Sequence, residues 1–188
     1  LDVVGTVRVT NTANVALTGS NDKGSFRLGY TNLNGTGTMP NGNLGRNTFS
    51  IKSAYNLSDR IKTTVTGSYV DTKGQGRNVT GYNNGNPMQA FTQWWQTQLD
   101  VDRLAEGAYA VDGTQQTWNS KGVIKDGNNN LIRYDSSPNF FANPVWAREN
   151  YLQEDHRKRF IGGANVSVDL GKGFSTMARI GSDFYNTF

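Results

Sequence analysis

Residues 160–180 read Phe160-Ile161-Gly162-Gly163-Ala164-Asn165-Val166-Ser167-Val168-Asp169-Leu170-Gly171-Lys172-Gly173-Phe174-Ser175-Thr176-Met177-Ala178-Arg179-Ile180, and their alternation decides the fold. One set of alternate positions holds Phe160, Gly162, Ala164, Val166, Val168 and Leu170. The other holds Arg159, Gly163, Asn165, Ser167 and Asp169. A period of two marks a strand with two unlike faces. Gly171-Lys172-Gly173 turns the chain, and Phe174, Thr176, Ala178, Ile180 and Phe184 then oppose Ser175, Arg179 and Asp183. The spacing predicts strands over 156–170 and 174–186.

Working upstream, the same alternation predicts strands over 45–57 and 60–71, joined at Asn56-Leu57-Ser58-Asp59. Phe49, Ile51, Tyr55, Ile61, Val65 and Tyr69 supply the apolar face. A weaker hairpin covers 12–19 and 24–31 around Ser20-Asn21-Asp22-Lys23, with Ala13, Val15, Leu17, Phe26, Leu28 and Tyr30 as its apolar positions. The connections run short (20–23), long (32–44), short (57–59), very long (72–155) and short (171–173). Outer-membrane barrels alternate tight periplasmic turns with large external loops in this way. Aromatic residues fall near both strand ends, as in the two girdles of such a barrel. Phe174 and Phe184 are separated by roughly 33 Å of strand, or roughly 25 Å of height at a tilt of about 40°.

Composition fits this reading. Only 35% of the 188 residues are hydrophobic, and the mean hydropathy is −0.61, lean for a soluble core but suited to a wall between lipid and water. No run of eighteen apolar residues offers a transmembrane helix, while a barrel strand needs only alternate apolar positions. The chain starts at Leu1 without a basic and apolar leader, so a signal peptide was removed or belongs to another segment. Six strands cannot close a membrane barrel, which needs about eight. The expectation is therefore an all-β chain, an antiparallel segment of one larger transmembrane barrel domain over 1–188, with the remaining strands and any plug domain elsewhere.

Several chemistries find little support. The net charge is +4, but the basic residues are scattered, and the one run, Arg157-Lys158-Arg159, lies beside Glu154 and Asp155. A nucleic-acid footprint would cluster its charge with stacking aromatics, so no nucleic-acid partner is expected. His156 is the single histidine, and no acid–base partner pattern surrounds it, so no catalysis is expected. No cysteine is present and no metal-ligand spacing occurs, so neither metal nor cofactor is expected. Asp126-Gly127-Asn128-Asn129-Asn130 has a calcium-like polarity but lacks the later glutamate, and reads as a hairpin turn between Val123-Ile124 and Leu131-Ile132.

One helix is expected, over 87–105. Asn86-Pro87 supplies a cap and a first-turn proline, and Met88, Phe91, Trp95 and Leu99 follow at helical spacing, continuing toward Leu104 and stopping at Gly107. It lies within the long loop, whose aromatics include Tyr82, Trp94, Tyr109 and Trp118. Such rings stack on sugars or anchor partner proteins, and they also pack a loop's own small core. Helical spacing assigns Phe91, Trp95 and Leu99 to packing. Trp94, Trp118, Tyr82 and Tyr109 are the candidates for contact with substrate or a lid protein.

Several stretches resemble one family. The run Gly24-Ser-Phe-Arg-Leu-Gly-Tyr-Thr-Asn-Leu-Asn-Gly-Thr-Gly37, then Met39-Pro40-Asn41 and Arg46-Asn47-Thr48-Phe49-Ser50, is similar to the barrel of SusC/RagA-type TonB-linked outer-membrane proteins. Asn86-Pro-Met-Gln89, Phe91-Thr-Gln-Trp94 with Leu99-Asp100, Asn143-Pro144-Val-Trp146 and Gly181-Ser-Asp-Phe-Tyr-Asn186 carry the same resemblance. It implies a barrel of about 22 strands with a plugged lumen. It further implies a SusD-like surface lipoprotein as lid, energy from TonB through a part of the chain not present here, and import of oligosaccharides or peptides across the cell outer membrane. The alternative is a passive porin or another barrel anchor without TonB-dependent transport. A soluble carbohydrate-binding β-sandwich is a third reading.

Overall fold

The computed structural model describes residues 7–83, 85–93 and 96–188. Its main element is a six-stranded sheet of β1 (Thr10–Asn21), β2 (Gly24–Thr36), β3 (Asn43–Asn56), β4 (Ile61–Gln75), β7 (Glu154–Gly171) and β8 (Phe174–Thr187). Neighbours follow chain order, β1-β2-β3-β4-β7-β8. Between β4 and β7 the chain makes an excursion containing α1 (Pro87–Thr92), α2 (Val101–Glu106), the hairpin β5 (Ser120–Lys125) and β6 (Leu131–Pro138), and α3 (Pro144–Asn150). The chain divides into two compact units, one built on the six strands, the other on residues 37–42 and 75–154.

The tight turns are set by local chemistry. Asn21 Oδ1 accepts from the amides of Lys23 and Gly24, and Ser58 Oγ accepts from those of Arg60 and Ile61. Both are the side-chain-to-backbone bonds that make Asn and Ser turn formers. Gly171, Lys172 and Gly173 all take the left-handed region, at φ +80°, +55° and +81°. Glycine enters that region freely, which is why two of the three positions carry it.

The register places the two sets of alternate residues on two faces throughout. Val15 lies opposite Tyr30 and Tyr30 opposite Phe49, while Leu17, Leu28 and Ile51 form the next row. Phe160 lies opposite Phe184, Ala164 opposite Ile180 and Val166 opposite Ala178. Gly67 joins the two halves: a Cβ there would stand 3.1 Å from Ile51 and 3.8 Å from Phe160, so all three share the apolar face. The rings of Tyr30 and Phe49 sit 4.8 Å apart and those of Phe160 and Phe184 5.3 Å apart. On the other face stand Asn14, Thr31 and Thr48 in one row, and Asn165 opposite Arg179. Arg159 makes two bonds to Asp183 on that face, of 2.9 and 2.5 Å. Ile161, Met177 and Tyr185 break the pattern by occupying polar-face positions.

The apolar face is uncovered. Val15 is 70% exposed, Leu17 60%, Ile180 71% and Phe184 62%. Every residue of β8 is exposed. Among the described residues, the buried hydrophobic ones, Ala90, Ala108, Phe141, Ala142, Val145 and Ala147, all belong to the excursion.

Two expectations need correction. The strands extend further than 24–31 and 45–57 suggest, so the connection expected over 32–44 contracts to 37–42. Asn, Thr and Gly there read as loop, but their amides bond across the strands. Asn32 Nδ2 and Tyr30 Oη both donate to Asn47 Oδ1 at 2.8 Å, and Asn34 Nδ2 donates to Asn32 Oδ1. The single helix expected over 87–105 is two short helices. Asn86 caps α1 as its sequence suggests, but α1 ends at Thr92, and Asp100 starts α2 by accepting from the amides of Asp102 and Arg103. A third helix, α3, is capped by Asn143 ahead of Pro144, the same Asn-Pro signal as at 86–87. Trp95, expected on the buried face of the helix, lies outside the described residues.

Candidate functional site

The excursion has its own small core, and Asn143 is its centre. Asn143 is fully buried, with Phe141 and Pro144 beside it in sequence also buried. Its Oδ1 accepts from the amides of Val145 and Trp146, which caps α3, while its Nδ2 donates to the carbonyls of Leu104 and Gln116, both at 2.9 Å. One side chain thus ties α3 to the end of α2 and to the segment before β5. Asn119 does similar work, accepting from the amides of Phe140 and Phe141 and donating to the Phe141 carbonyl. Buried polar groups must find partners, and planar amides offer both donors and acceptors.

At the start of the excursion, Arg148 is 5% exposed and holds the Gly76 carbonyl at 2.7 Å and Asn78 Oδ1 at 3.3 Å. Burial draws its pKa below the usual guanidinium value, because desolvation disfavours the charged form. Gly76 N–H in turn donates to the Gln153 carbonyl at 2.8 Å, so the two ends of the excursion meet.

Beside these ends lies a cavity of about 650 Å³, lined by Val79, Tyr82, Asn83, Asn150, Tyr151 and Gln153, among others. The Tyr82 ring meets Phe141 edge-on at 5.7 Å, and Tyr151 meets Trp146 edge-on at 5.3 Å, so both lining tyrosines are braced by aromatic neighbours. Tyr82 remains 72% exposed and Tyr151 43%. The lining combines ring faces with carboxamides and carries no Asp, Glu, Lys, Arg or His. Such a surface can stack on an uncharged ring and exchange hydrogen bonds with hydroxyls or peptide groups.

The four candidate residues fare differently. Tyr82 lines the cavity. Tyr109 adjoins it through Asn150: its hydroxyl donates to Glu149 Oε2 at 2.5 Å and accepts from Asn150 Nδ2 at 2.9 Å. The bond to Glu149 holds the phenol proton and raises the Tyr109 pKa above its ordinary value. Trp118 is half-buried ahead of β5 and is not part of the lining. Trp94 lies outside the described residues. Sequence reasoning missed Asn83, Asn150, Tyr151 and Gln153, which no period or motif distinguishes.

The segment 126–130 is the hairpin turn that its sequence suggests. Asp126 accepts from the amides of Asn128 and Asn130, and these bonds, led by the Asn130 side chain, lower its pKa. Asn129 takes the left-handed position at φ +66°. Among the described residues no group of three His, Cys, Asp or Glu side chains could hold a metal ion. A scan of the chain against protein-family models and a search of curated proteins return no match.

Proposed function

We propose that the six-stranded sheet is a length of outer-membrane β-barrel wall with its apolar face in lipid, and that it belongs to an active importer of the SusC/RagA type. The observation that carries the reading is the uncovered apolar face, continuous across six strands from Val15 to Ile180. Contiguous exposed apolar surface of that extent calls for an occupant, and a soluble sheet would place a second layer there. Bilayer hydrocarbon fits a face whose partner strands also run antiparallel through tight turns. Open edges in lipid would leave backbone groups unpaired at several kcal/mol each, so further strands pair with β1 and β8 in the assembled barrel.

The polar face then lines an aqueous interior, and the excursion is an extracellular unit whose cavity meets incoming cargo. The uncharged aromatic and amide lining suits an oligosaccharide or a peptide. A SusD-like lipoprotein as lid and TonB as energy source follow from the family resemblance carried by the sequence. Topology is testable on intact cells. A cysteine at Asn129 reacts with a membrane-impermeant thiol reagent, while one at Ser58, in the turn between β3 and β4, does not. Reversed labelling overturns the orientation.

The cargo surface is tested by growth on the cognate oligomer and by co-purification of the lipoprotein. Tyr82→Ala and Tyr151→Ala, which remove the two rings of the cavity lining, should each weaken binding of the cargo or the lipoprotein by more than about 1 kcal/mol, the scale of an aromatic anchor. Phe91→Ala should instead raise the protease sensitivity of the excursion. Normal growth and co-purification for both variants would mean that these rings only pack the unit.

A further inference from the structure

The polar face carries an arrangement that sheet energetics disfavours. Thr18 lies opposite Arg27, and Arg27 directly opposite Lys52, in one row across β1, β2 and β3. The adjacent row toward the turns is Ser20, Ser25 and Ala54. Like charges placed directly opposite destabilise a strand pair. Neither cation forms a salt bridge with a described residue; Arg159–Asp183 and His156–Asp71 are acid–base pairs on other strands of the sheet. Thr18, Ser20, Ser25, Arg27 and Lys52 together line one depression of about 460 Å³, and no carboxylate enters its lining.

We propose that Arg27 and Lys52, with the hydroxyls of Thr18, Ser20 and Ser25, form a binding site for an oxyanion, a carboxylate or phosphate group. A guanidinium fork and an ammonium side by side are the donors such a group prefers, and charge-assisted bonds are the strong ones. Three hydroxyls within the same depression can donate to its remaining lone pairs. The bound anion converts the repulsion between the two cations into a bridge. The inference rests on the register of the sheet and holds whether or not the apolar face lies in lipid.

The two sources of the anion, a free solute and an acidic side chain of polypeptide lying on this face, are separated by thermal unfolding of the full-length protein in nonionic detergent at low ionic strength. Inorganic phosphate is the probe, with sodium chloride at matched ionic strength as control. For a free solute, phosphate raises the unfolding midpoint saturably. Arg27→Gln or Lys52→Gln then weakens the apparent affinity roughly tenfold or more, the loss expected for one charge-assisted bond, while Arg179→Gln leaves it unchanged. For a polypeptide carboxylate, phosphate has no effect on the wild type, and Lys52→Gln lowers the midpoint. With the anion in place, at saturating phosphate for a free solute and in either buffer for a polypeptide carboxylate, Lys52→Glu falls below Lys52→Gln, because the new carboxylate expels the anion. If the two cations merely repel, Lys52→Glu pairs with Arg27 and raises the midpoint above that of the wild type with and without phosphate alike, and the proposal fails. A phosphate effect that survives both glutamine variants overturns it equally.

Discussion

Ile180→Arg in the full-length protein should destabilise the folded state in phospholipid vesicles by about 2–4 kcal/mol, the cost of an arginine near the bilayer midplane on a barrel's lipid face. Val166→Arg should behave alike, since it stands opposite Ala178 on the same face. The size of the effect is informative because Ile180 is 71% exposed. In water, an exposed surface substitution of this kind moves stability by roughly 0.5 kcal/mol at most. Nothing in protein packing would make this arginine expensive, so a large cost has to come from lipid. Asn165→Arg is the control on the polar face. It meets Arg179 across the strand pair and should lose no more than about 1 kcal/mol to that like-charge contact. Denaturant unfolding of the three variants gives the comparison, and equal costs on the two faces would refute the membrane assignment.

Asn143→Ala should produce the largest loss inside the excursion, about 3 kcal/mol or more. The substitution deletes the α3 cap, worth about 1 kcal/mol. It also strands the carbonyls of Leu104 and Gln116, which Asn143 serves from a fully buried position, at about 1–3 kcal/mol for each group left unpaired. Asn143→Ser should restore the cap but not the two donors, and so recover only about 1 kcal/mol. Asn86→Ala tests the same cap type at α1, where the side chain meets one carbonyl, that of Gly81, and should cost about 1 kcal/mol. Amide hydrogen exchange over residues 101–150 reads these differences locally, with the β7–β8 amides as internal reference. If Asn143→Ala and Asn86→Ala open the unit equally, Asn143 is an ordinary cap and not its centre.

The six strands and their two faces were legible because a period of two survives in each, from Phe49 and Ile51 in β3 to Ile180 and Phe184 in β8. Strand lengths were less legible. Asn32, Asn34 and Asn47 have turn-forming side chains, and only the folded sheet reveals that Asn32 bonds across to Asn47 while Asn34 bonds along the strand to Asn32. The helix over 87–105 failed for a related reason. Spacing of three and four continued past residue 92, but Asp100 competed for the amides of residues 102 and 103 and began a new helix. For the cavity, Tyr82 was accessible to composition alone. Its companions Asn150, Tyr151 and Gln153 come from the far end of the excursion, and their proximity is a product of folding. Asn143-Pro144 carried a readable cap signal, yet its burial and its reach to Leu104 have no local signature.

The bond from Gly76 N–H to the Gln153 carbonyl brings the two ends of the excursion within one hydrogen bond of each other. A segment whose ends meet behaves as an insert: it can be exchanged for another without lengthening or shortening the strands on either side, and loop closure adds little entropy for the extra length. Residues 77–152 are therefore a cassette. Its content and length can change without altering the spacing between the end of β4 and the start of β7, because that spacing is set by the bond at its base.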